Sequence, residues 1–231
     1  MVEVGGEPIL RHIMQIYAEQ GFSEFVVALG YLSHVVKRWF LEQITTSGDM
    51  EIDLRSGGIR RDDPHALPWR VRLIETGLHT QTGGRLKRLA PVLNGKAFML
   101  TYGDGVANVD LGALIEFHKQ HKRLATVTAV RPPARFGALD LNGDRVMSFT
   151  EKPQLSEGWI NGGFMVLEPA VLDGIDGDDV VLERDVLSQL ASVDQLRAYR
   201  HTGFWHCMDT LRDVRMLDEL ARKEHPPWRR S

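Results

Sequence analysis

The stretch "AFMLTYGDG", residues 97–105, decides the fold. Its first half is a short, unbroken apolar run, the pattern of a buried strand, and its second half breaks into glycines around one carboxylate, Asp104. Open α/β sheets bind ligands beyond the carboxyl ends of such strands. The same alternation recurs on both sides. Towards the N-terminus, Ile9, Leu10, Ile13, Ile16 and Tyr17 recur at helical spacing between Pro8, suited to a first turn, and Gly21, suited to a stop. "FVVALG" (25–30) predicts a strand covered on both faces, and Ser33 can cap a helix through Phe40. Thr45 to Pro68 is polar and rich in glycine and aspartate, which predicts a long loop with room for a strand. "WRVRLIETG" (69–77) reads as a strand, and "TGGRLKRLAPVL" (82–93) as a helix with Leu86, Leu89 and Val92 on one face. Towards the C-terminus, Asp110 can cap a helix from Leu111 to His121, followed by the strand "LATVTAV" (124–130). Strand and helix in alternation predict an α/β fold: a doubly wound, mostly parallel sheet flanked by helices.

Beyond residue 130 the pattern changes. "FGALDL", "NGD" and "RVMSFTEKP" (136–153) read as a β-hairpin, because Asn142-Gly143 satisfies the positive φ angles of a tight turn, so a smaller antiparallel subregion is expected. No internal repeat is seen, and "HPPWRRS" (225–231) reads as a tail. The whole, 231 residues, suits one domain.

Composition removes several classes of function. The chain is 43% apolar and 26% charged with a formal net charge of -3, so it lacks the basic footprint of a nucleic-acid or anionic-membrane partner. One cysteine, Cys207, allows no intrachain disulfide and reads as a small core residue. No run approaches the roughly 18 apolar residues of a membrane span, and Met1 to Leu10 carries glutamates where a secretory signal carries lysines, so a cytoplasmic location is expected. The nine histidines show no metal-ligand spacing, and no Ser-His-Asp arrangement stands out.

The candidate chemistry lies in loops after apolar runs. Asp104, between glycines, is either an uncovered functional carboxylate or a turn aspartate bonding its own backbone. Asp209, in "FWHCMDT", precedes a helical segment from Leu211, which Asp209 or Thr210 could simply cap. Together the two acids could clamp a triphosphate-bound Mg²⁺, which takes a few carboxylates plus phosphate oxygens and water. Lys152, in "EKP", lies at a strand end as a phosphate ligand or a solvated lysine. Gly83 and Gly84 open a helix whose free N–H groups attract anions, with Arg85 as a planar donor, although glycine-rich helix starts are common. In "NGGF" (161–164) the glycines form only a bulge, or let a sugar ring lie against backbone.

Taken in order, "MVEVGGEPIL", "TGGRLKR", "YGDGV", "FGALD", "EKP", "INGGF" and "GFWHCMDT" resemble the sugar-phosphate nucleotidyltransferases, from Met1 nearly to the C-terminus. The resemblance, strongest to cytidylyl-transferring members, implies transfer from CTP to glucose 1-phosphate, giving CDP-glucose and pyrophosphate, with Mg²⁺ as cofactor. It implies Asp104 and Asp209 as metal ligands and Lys152 on the sugar phosphate. Gly137, Glu151, Asn161 and Gly162 would surround the hexose, and Gly83, Gly84 and Arg85 would stand on the nucleotide side. Residues 1–130 would form the nucleotide-binding part and 131–210 the sugar-binding part; a homo-oligomer is compatible. UTP or dTTP as donor, or a non-catalytic chain that binds sugar phosphate or a partner subunit, are the alternatives.

In the family, "MVEVGG" follows a first β-strand, a G-G-x-G-T-R loop around the triphosphate and a P-K-P segment with a second phosphate-binding lysine; this sequence contains none of them. The resemblance therefore implies a truncated domain with little or no turnover. Charge-stabilising groups of this kind are each worth on the order of 2.7–4 kcal/mol in other enzymes. It also implies two uncovered sheet edges and poor folding unless another element fills the place of the strand.

Overall fold

The computed structural model describes residues 1–64, 66–132, 138–142, 145–150 and 158–229. A tight two-stranded turn, β1 (Glu3–Val4) on β2 (Glu7–Pro8), leads into α1 (Ile9–Ala18). The helix buries Ile9, Ile13, Ile16 and Tyr17 as its spacing predicts, with Met14 in the core and Leu10 only half-buried, and Gly21 at φ 91° turns the chain away. Next come β3 (Glu24–Leu29), α2 (Ser33–Thr45), β4 (Asp49–Asp53), β5 (Gly58–Asp62), β6 (Arg70–Glu75) and α3 (Thr82–Leu93). β3 and β6 pair in parallel, Glu24 opposite Arg70 through Leu29 opposite Glu75.

Two expectations change here. The polar stretch after Thr45 holds an antiparallel hairpin, Ile52 opposite Ile59, rather than a loop with one strand. Its apolar side chains are exposed, so it carries no buried face for a hydrophobic period to reveal. β3 is not covered on both faces: Phe25, Val26 and Val27 are only half-buried. Among the described residues β6 is its one ladder partner.

The main sheet follows. After β7 (Phe98–Leu100) and β8 (Gly105–Ala107), α4 (Leu111–His121) starts on Asp110, whose carboxylate accepts from the Ala113 N–H at 2.8 Å. β9 (Ala125–Val130) is the centre of the sheet. The hairpin expected beyond residue 130 is present as β10 (Ala138–Asn142) on β11 (Arg145–Thr150), with Asn142 opposite Arg145; the connecting residues 143–144 lie outside the described ones. β12 (Ile160–Asn161) and β13 (Met165–Leu167) then run antiparallel to β9 along one edge. A π-helical turn (Leu182–Leu187) passes into α5 (Ser188–Ser192), and β14 (Leu196–Arg200) pairs in parallel with the other edge of β9. β7 closes the far side, antiparallel to β13. Last come β15 (Trp205–Cys207) and α6 (Leu211–Ala221).

The α/β class with flanking helices is as expected, but the main sheet is mixed rather than mostly parallel. Only Gly162–Phe164 separate β12 from β13, so the two form one interrupted antiparallel line on β9; a parallel return needs a crossover of about a dozen residues or more.

Two apolar clusters fill the interior. One joins α1, β8, α4 and α6 through Ile13, Val106, Leu114, Phe164 and Leu217; the other packs α3 and the 182–190 helical segment on the sheet through Leu86, Met165, Leu167 and Val186. Residues 225–229 are not a loose tail, and 230–231 lie outside the described residues. Trp228 is 1% exposed, against His12 and Phe204, and Arg229 pairs with Glu19, because an indole buries enough apolar area to hold a terminus down. No helix among the described residues is long and apolar enough to cross a membrane.

Candidate active site

A short ladder brings the two predicted acids together. β8 runs antiparallel to β15, Gly105 opposite Cys207, and the Met208 N–H donates to the Asp104 carbonyl at 2.9 Å. Asp104 and Asp209, 105 positions apart in the chain, thus stand at the same end of the ladder and line one pocket of about 250 Å³. The N-cap residue of α6 is Thr210, not Asp209. Thr210 caps α6, accepting from the Asp213 N–H, while the Asp213 carboxylate takes the Thr210 N–H at 2.8 Å, a reciprocal capping box.

The electrostatics of the pocket are those of converging anions. Partial burial and then the charge of Asp209 raise the Asp104 carboxyl above its ordinary value. The Cys207 thiol, which donates to Asp209 at 3.2 Å, is pushed up to about 12 by burial, by that hydrogen bond and by the neighbouring carboxylates. It stays protonated at neutral pH and is no nucleophile. Two oxygen-donor carboxylates lining one open cavity fit a hard divalent cation.

The opposite wall is the interruption between β12 and β13. Gly162 donates to the Thr128 carbonyl at 2.8 Å, Thr128 donates to the Gly163 carbonyl at 3.3 Å, and Gly163 sits at φ 75°. A Cβ on Gly162 would fall 2.6 Å from Val130 Cγ1, and the Trp205 indole N–H holds the Gly162 carbonyl at 2.8 Å. The "NGG" segment is a bulge, and it also lines the cavity through Asn161 and Gly162.

Gly83, Gly84 and Arg85 lie elsewhere. The N–H groups of both glycines bond the Val180 carbonyl at 3.0 and 3.2 Å, and a Cβ on Gly84 would meet Asp178 Cα at 2.6 Å. Arg85 reaches the Leu29 carbonyl at 3.1 Å and the Thr76 hydroxyl at 2.8 Å, at the carboxyl ends of β3 and β6. The other expected residues, Gly137, Glu151 and Lys152, lie outside the described ones. A larger groove of about 1060 Å³ between α2, β5 and β6 is lined by Trp39, Phe40, Leu67 and Trp69 together with Arg11, Lys37, Arg61 and Arg70; it contains neither Asp104 nor Asp209.

Sequence reasoning missed Tyr102, Trp205 and Glu183. Tyr102 and Trp205 were within reach, since each sits in a stretch that carries a candidate aspartate. Glu183 carried no local signal: its hydrogen bonds span 81 and 101 positions.

The sequence profile of the nucleotidyl transferase family matches residues 1–205. A glucose-1-phosphate cytidylyltransferase of Salmonella typhimurium is 45% identical over 230 residues, 99% of this chain and 90% of the relative. A probable glucose-1-phosphate cytidylyltransferase of Bacillus subtilis is 35% identical over 228 residues, 98% and 89% of the two chains. Among solved structures, HddC from Yersinia pseudotuberculosis in complex with GMP-PN superposes with a TM-score of 0.69 at 20% identity, covering 95% of this chain and 88% of that one, a likeness of fold.

Proposed function

The chain belongs to the nucleotidyl transferase family, and from that premise we propose that it transfers a cytidylyl group from CTP to α-D-glucose 1-phosphate, giving CDP-glucose and pyrophosphate. One observation carries the reading: Asp104 and Asp209 converge on a pocket walled by Asn161 and Gly162, in a chain similar along nearly its whole length to proteins named for that reaction.

In the reaction a phosphate oxygen of glucose 1-phosphate attacks the α-phosphorus of CTP in line, the bond to the bridging oxygen of the β-phosphate breaks, and pyrophosphate leaves. The difficulty is bringing two polyanions together, so positioning and charge screening do most of the work and no covalent enzyme intermediate is needed. Asp104 and Asp209 would hold Mg²⁺, which when bound screens the phosphate charge. Asn161 and Gly162 wall the hexose side, joined on family likeness by Gly137, Glu151 and Lys152, the lysine on the sugar phosphate. On family likeness Arg85 stands on the nucleotide side at the carboxyl ends of β3 and β6, while Gly83 and Gly84, whose N–H groups the Val180 carbonyl takes, support α3 behind it rather than touch the nucleotide. Residues 1–130 serve the nucleotide and 131–210 the sugar. The nucleotide substrate and the lone cysteine support cytoplasmic residence.

Titration calorimetry in Mg²⁺ tests the proposal, together with chromatographic detection of CDP-glucose after long incubation. Glucose 1-phosphate is expected to bind, with CTP preferred over UTP and dTTP. Preference for UTP or dTTP overturns the choice of base, binding of glucose 1-phosphate with no nucleotide binding favours a non-catalytic chain, and absence of both ligands overturns the whole reading.

A further inference from the structure

Beneath the pocket runs a chain of hydrogen bonds whose direction is fixed by its two ends. A backbone N–H can only donate. The Gly163 N–H meets the Asn161 amide at 3.0 Å, so the atom it meets is Oδ1, and Nδ2 must donate to the Tyr102 hydroxyl at 3.0 Å. The Tyr102 oxygen therefore accepts from Asn161, and its own proton goes to Glu183 Oε1 at 2.6 Å. From the other end, the Leu182 N–H donates to the Thr82 hydroxyl at 2.9 Å, which sends the threonine proton to Glu183 Oε2 at 2.8 Å. Two donors thus converge on Glu183, one on each oxygen. An ionised carboxylate accepts both. A carboxamide offers only one oxygen, so one of the two hydroxyls would have to turn from donor to acceptor to meet its N–H₂.

Glu183 stands on the π-helical turn Leu182–Leu187, a widened turn of the kind found at functional sites. Burial and the Glu183 charge raise the Tyr102 hydroxyl well above its ordinary range, so it remains a donor at any physiological pH. The Gly163 N–H fixes which atom of Asn161 is Oδ1, and the chain holds the amide there by keeping the Tyr102 oxygen an acceptor for Nδ2. Among the described residues Oδ1 accepts once and Nδ2 donates once inside the protein, which leaves one lone pair and one N–H, and Asn161 lines the cavity.

We propose that Glu183 is a positioning residue of the sugar side: as an obligatory double acceptor it locks the Asn161 amide, by way of Tyr102, so that one donor and one acceptor face a pair of adjacent hydroxyls on the hexose. This rests on the pocket being the sugar site. It adds a residue that touches no ligand, and it ties Thr82, the first residue of α3, to the sugar wall.

Glu183→Gln is the direct test, read in the full chain by two measurements against wild type. The first is the NMR signature and hydrogen exchange of the Asn161 side-chain amide; the second is calorimetry with glucose 1-phosphate, and separately with CTP, in Mg²⁺. The expected result is faster exchange at Asn161 and about tenfold weaker glucose 1-phosphate binding with the CTP affinity unchanged. In an Asn161→Ala background the same substitution should add nothing. Tyr102→Phe cuts the chain in the middle and should reproduce the sugar-specific loss, which keeps the test decisive if Glu183→Gln folds poorly. Unchanged Asn161 signals overturn the proposal, as does an equal loss of both ligands, the mark of a merely structural role. If wild-type protein binds no glucose 1-phosphate, the proposed function fails, and the Asn161 signals alone decide whether Glu183 orients the amide.

Discussion

Gly83-Gly84 at the start of α3 and Gly162-Gly163 between β12 and β13 look alike in sequence, and both suggest backbone left bare for a ligand. The structure closes one and opens the other. At the first pair the 178–180 segment lies directly on the glycines and the Val180 carbonyl takes both N–H groups. At the second the Gly162 N–H and the Gly163 carbonyl bond Thr128 of β9 and Trp205 holds the Gly162 carbonyl, yet Gly162 still lines the cavity with Asp104 and Asp209. A glycine pair reports close approach of something to backbone; whether that is protein or ligand depends on residues far away in the chain.

The comparison can be broken by substitution. The largest effect belongs to the open site: Asp104→Asn should weaken Mg²⁺-dependent nucleotide binding and turnover by about 10²-fold or more. It should not lower the melting temperature of the ligand-free protein, because it removes a repelled, half-buried charge. Retained activity would strike Asp104 from the ligand set. Next comes the closed site, where Gly84→Ala places a Cβ 2.6 Å from the Asp178 backbone and should cost about 2–3 kcal/mol in urea denaturation. Ligand affinity per folded molecule should be unchanged; selective loss of CTP binding would reopen the closed site as a nucleotide contact. Gly163→Ala should cost less, about 1 kcal/mol, since φ 75° is strained for any side chain and the nearest atoms, Thr101 Oγ1 and Tyr102 Cδ2, are 3.3 Å away. Unlike the change at Gly84, it should also weaken sugar binding.

The smallest effect is in pH. The folded Asp104 carboxyl lies above its unfolded value, so its neutral form favours the fold. That contribution is fully present below the unfolded carboxylate range, near pH 4, and fades as pH rises through the raised folded value. Melting curves without metal should show this decline. Asp104→Asn should remove it and Mg²⁺ should shrink it, whereas a slope identical in wild type and variant would mean that Asp104 is not the repelled group.

Legibility in the sequence followed locality. α1, α3 and α4 were readable because their apolar spacing and termini lie within one helix length, with Asp110 capping as its position implied. The β10/β11 hairpin was readable from a turn signal, and Asp104 and Asp209 from their places after apolar runs. What escaped was set by distance along the chain. The antiparallel pairing of β13 with both β9 and β7 comes from a bulge too short for a crossover. β14, "LRAYR", mixes arginine with apolar residues and becomes a strand by lying on β9. Trp228 is held by His12, more than two hundred positions away, and Glu183 by Tyr102 and Thr82. No local pattern encodes such partners.

The central claim is that Asp104 and Asp209 share one cation at the mouth of the pocket. Anomalous scattering from crystals grown with Mn²⁺ and CDP-glucose measures it directly. The account predicts a single strong peak between the two carboxylates, absent in Asp104→Asn and in Asp209→Asn. A peak elsewhere, or one that survives in both variants, would contradict it.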